Sequence, residues 1–310
     1  MASLTMDALV SGFMKDCETR GMSPRTLPGY RSALKMFAQY LELQGGNALK
    51  MDRETLRRFI DYMRLDRQLS QRTMKITFSV LSSFYEYLTF EGHVQTNPVL
   101  PIRKRYLKRY KDGEEGHERQ LISVEEMARM INSEMVRRNK AIILLLAKTG
   151  IRRNELVTLD VSDVDFVEQK IRLKPTAKRN NRTVFFDDET SWLLKHWLRD
   201  REGMKNKRSP ALFLNQEGNR LDRNGIYEVV TNAAERLGLH NPESERLEDH
   251  FGPHCCRHWF CTHLFRAGMR REYIKELRGD SRTEAFDLYN HIDLKELKEA
   301  YLAAIPQLGI

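Results

Sequence analysis

The sequence has few cysteines and no long apolar run, and each shortage excludes a class of protein. Four cysteines in 310 residues are too few for a disulfide framework, and three of them lie close together at Cys255, Cys256 and Cys261, so reduced thiols are expected. No segment approaches the ~18 apolar residues that span a bilayer. The first residues lack a basic region followed by an apolar stretch, so no signal peptide is expected. These absences predict an intracellular, cytoplasmic protein with no membrane-spanning segment.

The charge balance favours a polyanionic partner. Lys and Arg number 52 against 43 Asp and Glu, a net charge of +9 with a pI of about 9.3. Such a chain suits nucleic acid or an anionic membrane surface, and charge alone does not separate the two. The length predicts about two domains, and 41% hydrophobic residues suffice for ordinary cores.

Apolar residues recur at helical spacing through the first hundred residues. One stripe contains Tyr30, Leu34, Phe37 and Leu41, and a second stripe lies between 78 and 88, which together indicate four or five helices. The segment from Pro101 to Glu118 is basic and contains two glycines, which is typical of a flexible linker. We therefore predict a helical domain over 1–100, a linker over 101–118 and a second domain over 119–310. Arg103, Lys104 and Arg105 of that linker are candidate contacts to a nucleic-acid partner.

Two short motifs in the first domain place a hydroxyl and an arginine just before a predicted helix. These are Ser23–Thr26, with Arg25, and Ser70–Thr73, with Arg72. Helix N-terminal amides and a guanidinium could together bind a phosphate there. Ordinary capping beside a solvated arginine explains either motif equally well.

The second domain is predicted to be mainly helical with a small β-sheet. Ser123 and Glu126 form a capping box before its first helix. Strand-like runs follow at 165–167, 170–173 and 183–186, with a polar turn between the last two. Helical periodicity then returns and continues to the end of the chain, so the fold class is mainly α with a β-hairpin.

Four features of this domain carry residues suited to phosphate chemistry. Gly150 can end one helix and start the next, presenting Arg152 with Glu155 one turn later. The hairpin turn from Lys174 to Arg182 also contains Lys178 and Arg179. His254 and Arg257 lie three residues apart on one helix face. Tyr289 comes late in the chain. Taken singly, each has an ordinary explanation: a surface ion pair, a solvated turn, a core helix or a packed tyrosine.

The third feature also permits a zinc interpretation. His254, His258 and Cys261 could share a helix face, although no Cys-x-x-Cys pair completes a structural site. The three cysteines are more simply explained as small packing residues. No metal and no cofactor are therefore expected.

Read in order, the four features resemble the tyrosine recombinases, a family that includes phage integrases and Xer-type resolvases. Thr149–Leu156 is similar to the family's first arginine box, and His254–His258 is similar to its second. The first hundred residues look like the family's helical, SAM-like core-binding domain. Details of Lys174–Phe186 and Leu277–Ser281 resemble integrases of archaeal viruses and plasmids.

The resemblance implies a two-domain, C-shaped clamp around double-stranded DNA, with four protomers on two duplexes. Tyr289 would attack the scissile phosphate to give a 3′-phosphotyrosine. Arg152, His254 and Arg257 would hold that phosphate, and Lys178 would be the general acid. Glu155 and Asp280 belong to the same expected catalytic set. Lys174, Arg179 and Arg182 would contact DNA, and the segment from Lys295 to Ile310 would dock onto a neighbouring protomer.

Two departures from the family pattern leave questions open. Asp280 follows Gly279 where the family usually has His or Trp, and an ionised carboxylate cannot donate to a phosphate. It could orient an arginine or accept the Tyr289 proton. Neither Lys174 nor Lys178 has the usual spacing from Arg182; Lys178, nearer the turn, is preferred. A cleavage-deficient DNA-binding protein of the same fold and a type IB topoisomerase-like relaxing enzyme are the alternative functions.

Overall fold

The computed structural model describes residues 5–107, 120–175, 182–204, 208–244, 246–280 and 292–310. The chain divides into two compact units, residues 1–113 and residues 114–310. Both are mainly helical, as predicted. Within the described ranges, no helix is long and apolar enough to cross a membrane.

The described residues of the first unit form five α-helices around an aromatic core. They are α1 (Met6–Thr19), α2 (Leu27–Leu43), α3 (Arg53–Asp61), α4 (Gln71–Phe90) and α5 (Val99–Tyr106). Both predicted stripes face the core, where Phe37 of α2 and Phe78 and Phe84 of α4 are fully buried. Edge-on ring contacts such as Phe37 to Phe59, with centroids 5.2 Å apart, add to the stabilisation from apolar burial.

The structure corrects two predictions for this unit. The predicted flexible linker begins too early, because residues 101–106 belong to α5 and Ile102 is buried in the core. The side-chain cap predicted within Ser23–Thr26 is absent: α2 begins at Leu27 and Thr26 forms no capping hydrogen bond. The second predicted cap is confirmed, since the Ser70 hydroxyl accepts from the Thr73 amide at 3.2 Å.

The second unit is built around one almost fully buried helix. Its helices are α6 (Val124–Asn132), α7 (Arg137–Thr149), α8 (Arg153–Thr158), α9 (Asp188–Glu202), α10 (Arg223–Glu235), α11 (Pro253–Arg266), α12 (Arg271–Arg278) and α13 (Leu294–Ala304). Every residue of α7 from Ala141 to Thr149 is buried. Its apolar sequence explains this, because a helix that is hydrophobic on all sides must be covered on all sides. The predicted capping box at Ser123 is also confirmed.

Three short antiparallel strands form the predicted sheet: β1 (Val164–Asp165), β2 (Lys170–Leu173) and β3 (Arg182–Phe185), in that order. The first is shorter than the predicted 165–167. The Asp165 carboxylate accepts from the amides of Val167 and Glu168, which turns the chain at this point. The register pairs Leu173 with Arg182, so the strands bring Arg182 back beside α8.

The C-terminal segment packs against its own domain. Leu297 and Tyr301 of α13 are fully buried, and the Tyr301 hydroxyl donates to the Lys148 carbonyl at 2.9 Å. Buried Lys148 donates to the Pro306 carbonyl at 2.6 Å, and the Glu189 carboxylate accepts from the amides of residues 308–310. These contacts lie within the chain, and docking of this segment onto a neighbouring protomer stays a prediction.

Candidate active site

The turn between α7 and α8 presents Arg152 as the sequence predicts. Gly150 ends α7 with a φ of 59°, and a Cβ at that position would lie 2.3 Å from the Phe260 ring. Only glycine satisfies both constraints without strain. Arg152 then caps α8, and the Glu155 carboxylate accepts from its backbone amide at 2.7 Å and from its Nη1 at 3.3 Å. One carboxylate thus fixes both the backbone and the side chain of Arg152.

Helix α11 brings His254 and Arg257 to the same place. Pro253 occupies its first turn, where its missing N–H costs nothing. His254 is exposed, whereas Arg257 is 4% exposed. Both line a cleft of about 380 Å³ that Arg152 also lines. Arg152 of one segment and His254 and Arg257 of a distant segment therefore converge on one cleft.

The C-terminal end of α12 anchors the two guanidinium groups. The Arg278 carbonyl accepts from Arg152 Nη1 at 3.1 Å and from Arg257 Nη2 at 2.8 Å, and Arg257 Nη1 donates to the Gly150 carbonyl. Carbonyls at a helix C-terminus lack intrahelical donors and carry partial negative charge, so they suit cations. The two guanidinium groups are thereby oriented before any ligand arrives.

Asp280 lies beside both arginines without bonding directly to either. Its Oδ1 is 3.9 Å from Arg152 Nη2 and 3.9 Å from Arg257 Nη2, while its Oδ2 is 3.3 Å from Arg278 Nε. A carboxylate at these distances attracts the guanidinium groups but leaves N–H groups for another acceptor. The geometry favours an orienting contribution over direct contact with an anion.

Glu155 and Arg182 form a buried ion pair next to Arg152. Arg182 Nη2 donates to Glu155 Oε2 at 2.7 Å, and its Nη1 donates to the Leu277 carbonyl at 2.6 Å. Burial acts to raise the pKa of Glu155, but Arg182 and the Arg152 amide outweigh it, so that pKa is lowered. Glu155 therefore stays ionised and positions Arg152; it is not placed to react.

The assignment of Arg182 as a DNA contact is wrong, because the side chain is buried and committed to Glu155 and α12. A signal for this was present in the sequence. Residues two apart on a strand share a face, and Val184 is a core residue, so Arg182 had to point inward as well.

The site carries excess positive charge. Among the residues described above, two carboxylates, Glu155 and Asp280, compensate only part of the charge of four arginines: Arg152, Arg182, Arg257 and Arg278. Burial, then the neighbouring Arg152 and Arg182, lower the pKa of Arg257 to about 10, which still leaves it charged at neutral pH. A group of like charges held together in this way is suited to an anion such as a phosphate.

Lys174 is engaged elsewhere. Its Nζ pairs with Asp160 and lies 3.5 Å from Asp163, and Asp160 also accepts from Arg220. These carboxylates already compensate its charge, which counts against Lys174 both as a DNA contact and as the catalytic lysine. Lys178 remains the preferred lysine.

Several predicted residues stay predictions. Lys178, Arg179 and Tyr289 lie outside the described residues. In the first unit, Arg25, Arg72, Lys104 and Arg105 are exposed and Arg103 is half-buried, which permits DNA contact without demonstrating it. His254, His258 and Cys261 are all described, and they do not form a group able to hold a metal ion.

Comparison with known families finds two matches that together span most of the chain. Residues 120–296 match the phage integrase family, and residues 9–91 match the phage integrase N-terminal SAM-like domain. The first match covers the site described above.

Curated relatives align along nearly the full length. A protein named tyrosine recombinase XerC from Herpetosiphon aurantiacus is 28% identical over 88% of this chain and 86% of its own length. Tyrosine recombinase XerD from Oceanobacillus iheyensis is 27% identical over 93% of this chain and 94% of its own.

Solved structures share the fold at lower identity. The Tn1549 transposon integrase in complex with transposon right end DNA has a TM-score of 0.71 at 18% identity, covering 96% of this chain and 99% of that one. The XerH site-specific recombinase bound to difH substrate has a TM-score of 0.66 at 23% identity, covering 94% and 83%. A lambda integrase dimer bound to a COC′ core site has a TM-score of 0.69 at 15% identity, covering 93% and 98%.

Proposed function

Because this chain belongs to the phage integrase family and is a site-specific tyrosine recombinase, an enzyme that cleaves and rejoins DNA, we propose that Tyr289 is the nucleophile of that reaction. The observation that carries the proposal is the convergence of Arg152, His254 and Arg257 on one cleft, with both guanidinium groups anchored on the Arg278 carbonyl. Such a cleft binds a phosphate diester and orients it for attack.

The proposed chemistry conserves the energy of the broken bond. The phenolic oxygen of Tyr289 attacks phosphorus, the bond to the 5′-oxygen breaks, and the DNA keeps a 3′-phosphotyrosine link to the protein. Rejoining reverses these steps when a 5′-hydroxyl attacks the link. No nucleotide is hydrolysed, because each phosphodiester is exchanged for another ester.

The arginines stabilise the transition state. Extra negative charge develops on the non-bridging oxygens as phosphorus becomes five-coordinate, and two preorganised guanidinium groups oppose it. Their planar forks bind two oxygens at once, which a lysine cannot do. Because Glu155 and the Arg278 carbonyl hold them in place beforehand, little reorganisation accompanies the reaction.

Protons are moved by the remaining residues of the proposed set. Lys178 protonates the departing 5′-oxygen as general acid, and His254 hydrogen-bonds the phosphate or takes up the proton of Tyr289. Asp280 orients Arg152 and Arg257, as its 3.9 Å separation from each supports. Charge neutralisation in this scheme comes from side chains, so it includes no step that uses a metal or a cofactor.

The wider assignments are also part of the proposal. Family behaviour supports a cytoplasmic enzyme whose two domains clamp the duplex, with four protomers joining two duplexes. Assignment to an archaeal virus or plasmid rests on Lys174–Phe186 and Leu277–Ser281 alone, whereas the XerC and XerD relatives above come from bacteria. Integration, excision and dimer resolution use the same chemistry and are all compatible with this site.

The test compares wild-type protein and Tyr289→Phe on DNA from the attachment region of the source element, in EDTA. We expect a protein–DNA adduct that survives denaturing electrophoresis with wild-type protein and none with the variant. Intact DNA binding with no wild-type adduct would instead favour the cleavage-deficient DNA-binding protein. Relaxation of supercoiled DNA without strand exchange would favour the topoisomerase-like enzyme.

A further inference from the structure

The cleft extends past the catalytic residues to a second group of cationic and aromatic side chains. Arg153, Arg223 and Tyr227 line the same 380 Å³ space as Arg152, His254 and Arg257. A water in the liquid occupies ~30 Å³, so this volume is on the order of ten waters, more than one phosphate group displaces. Resting on the function proposed above, we propose that Arg153, Arg223 and Tyr227 hold the DNA phosphate next to the scissile one.

Two helices bring these three residues together. Arg153 begins α8 directly after Arg152, so the two adjacent arginines serve one cleft. Arg223 begins α10, and Tyr227 lies four residues further along. Residues four apart share a helix face, which places the ring of Tyr227 beside Arg223.

The tyrosine ring orients Arg153. The Arg153 guanidinium carbon lies 5.6 Å from the centroid of the Tyr227 ring, within the distance of a cation–π contact. A guanidinium against an aromatic ring still has N–H groups at its edge for an acceptor. Tyr227 is 42% exposed, so this is a contact at the surface of the cleft and not part of the core.

The electrostatics of the pair favour an anion. Burial and then the charge of Arg223 lower the pKa of Arg153, with Tyr227 and Asp222 opposing them. No hydrogen bond or ion pair joins either guanidinium to another described residue. Asp222 is committed to capping α10, where it accepts from the Gly225 amide at 2.8 Å. Two cations that repel each other are stabilised when a phosphate lies between them.

Adjacent phosphates of one strand fit this arrangement better than a base does. The reading of a base edge requires side chains that reach into a groove, whereas these arginines lie beside the side chains assigned to the scissile phosphate. A second fixed phosphate would also set the strand's register, so that the correct phosphorus faces Tyr289. The site therefore positions substrate and does not discriminate sequence.

Salt-dependent binding tests the proposal independently of cleavage. The affinity of a 30-base-pair duplex is measured against NaCl concentration for wild type, Arg153→Ala/Arg223→Ala and Arg199→Ala. Loss of one phosphate contact lowers the slope of log K against log salt by ~0.9. We expect that decrease in the double variant, with affinity reduced about tenfold or more. Arg199 is exposed on α9, outside the cleft, so its variant should match wild type.

An unchanged slope in the double variant would overturn the proposal, and so would an equal decrease in the Arg199→Ala control. Arg223→Glu, a charge reversal at an exposed position, repeats the test if the double variant does not fold. Formation of the protein–DNA adduct tests the proposed function separately from the phosphate site. If wild type forms no adduct yet the slopes differ as expected, the phosphate site stands and the assignment of Tyr289 does not.

Discussion

Replacement of Gly279 by alanine tests how α12 supports the active site. Gly279 has a φ of 61°, and a Cβ there would lie 2.3 Å from Arg182 Nε and 2.4 Å from its Cδ. The variant must therefore displace the side chain that pairs with Glu155. The left-handed backbone costs ~1–2 kcal/mol for a residue with a Cβ, and loss of a buried ion pair costs ~3–5 kcal/mol. Together these two effects should lower the free energy of unfolding by about 4–7 kcal/mol.

Gly268→Ala is the matched control. Its φ is 83°, yet no atom lies within 4 Å of a Cβ built there, so it incurs only the backbone cost. At ~2–4 °C per kcal/mol for a domain of this size, we expect thermal unfolding to shift by about 2–8 °C in the control. By the same conversion, the loss of about 4–7 kcal/mol in Gly279→Ala should shift thermal unfolding by about 8–28 °C.

Activity and a double variant complete this test. Below its unfolding transition, Gly279→Ala should form the DNA adduct more slowly than Gly268→Ala, because the displaced Arg182 no longer holds Glu155 against Arg152. The double variant Gly279→Ala/Arg182→Ala should lose clearly less free energy of unfolding than the sum of the losses in the two single variants, because both changes remove the same ion pair. Equal stability losses in the two glycine variants, or additive losses in the double variant, would show that Gly279 does not support the Arg182–Glu155 ion pair.

Three further predictions follow from the described contacts. Arg152→Lys should retain DNA binding but form adduct ~100–1000-fold more slowly, because lysine lacks the planar fork; single-turnover rates close to wild type would contradict this. The pKa of Glu155 is lower in the folded state than in the unfolded state. Ionised Glu155 therefore stabilises the fold fully above its unfolded-state pKa of ~4.3, and this stabilisation is lost as the pH falls through its folded-state pKa. The unfolding temperature should therefore fall more steeply from pH 7 to pH 3 in wild type than in Glu155→Gln. Parallel pH profiles of the two proteins would show that the Glu155–Arg182 ion pair does not stabilise the fold. Deletion of residues 306–310 removes the Pro306 carbonyl from Lys148 and three amides from Glu189, which should cost ~1–3 kcal/mol per lost charged hydrogen bond; an unchanged unfolding temperature would show that the tail contributes nothing.

Locally determined features of the fold could be predicted from the sequence. The Ser123 capping box and the end of α7 at Gly150 depend on residues within one turn, and both are present. The alignment of His254 with Arg257 follows from helical spacing alone. These predictions succeeded because no distant part of the chain decides them.

Features that depend on tertiary contacts were harder to predict. The basic composition of residues 101–106 indicated a linker, but Ile102 and Leu107 pack into the core and keep that segment helical. Arg182 looked like a hairpin cation because its partners, Glu155 and the Leu277 carbonyl, are far away in sequence. The anchoring of two arginines on one backbone carbonyl has no sequence signature, since any residue supplies a carbonyl.

The pairing of Lys174 shows the same limit. Its position in a cationic turn suggested a DNA contact, yet Asp160 and Asp163 come from the segment after α8 and compensate its charge. Charge composition within a turn does not reveal which acids fold next to it. The short 3-10 turn Val161–Asp163 and the pairing of β1 with β2 bring those groups together.

The most direct test of the central claim is to locate the covalent link on the protein. After reaction with DNA, nuclease and trypsin digestion leaves a short nucleotide on one peptide, which mass spectrometry identifies. Cleavage after Arg282 and Lys295 releases Thr283–Lys295, whose single tyrosine is Tyr289. We expect the nucleotide on this peptide in wild type and its absence in Tyr289→Phe. A nucleotide on any other peptide, or an adduct that persists in Tyr289→Phe, would contradict it.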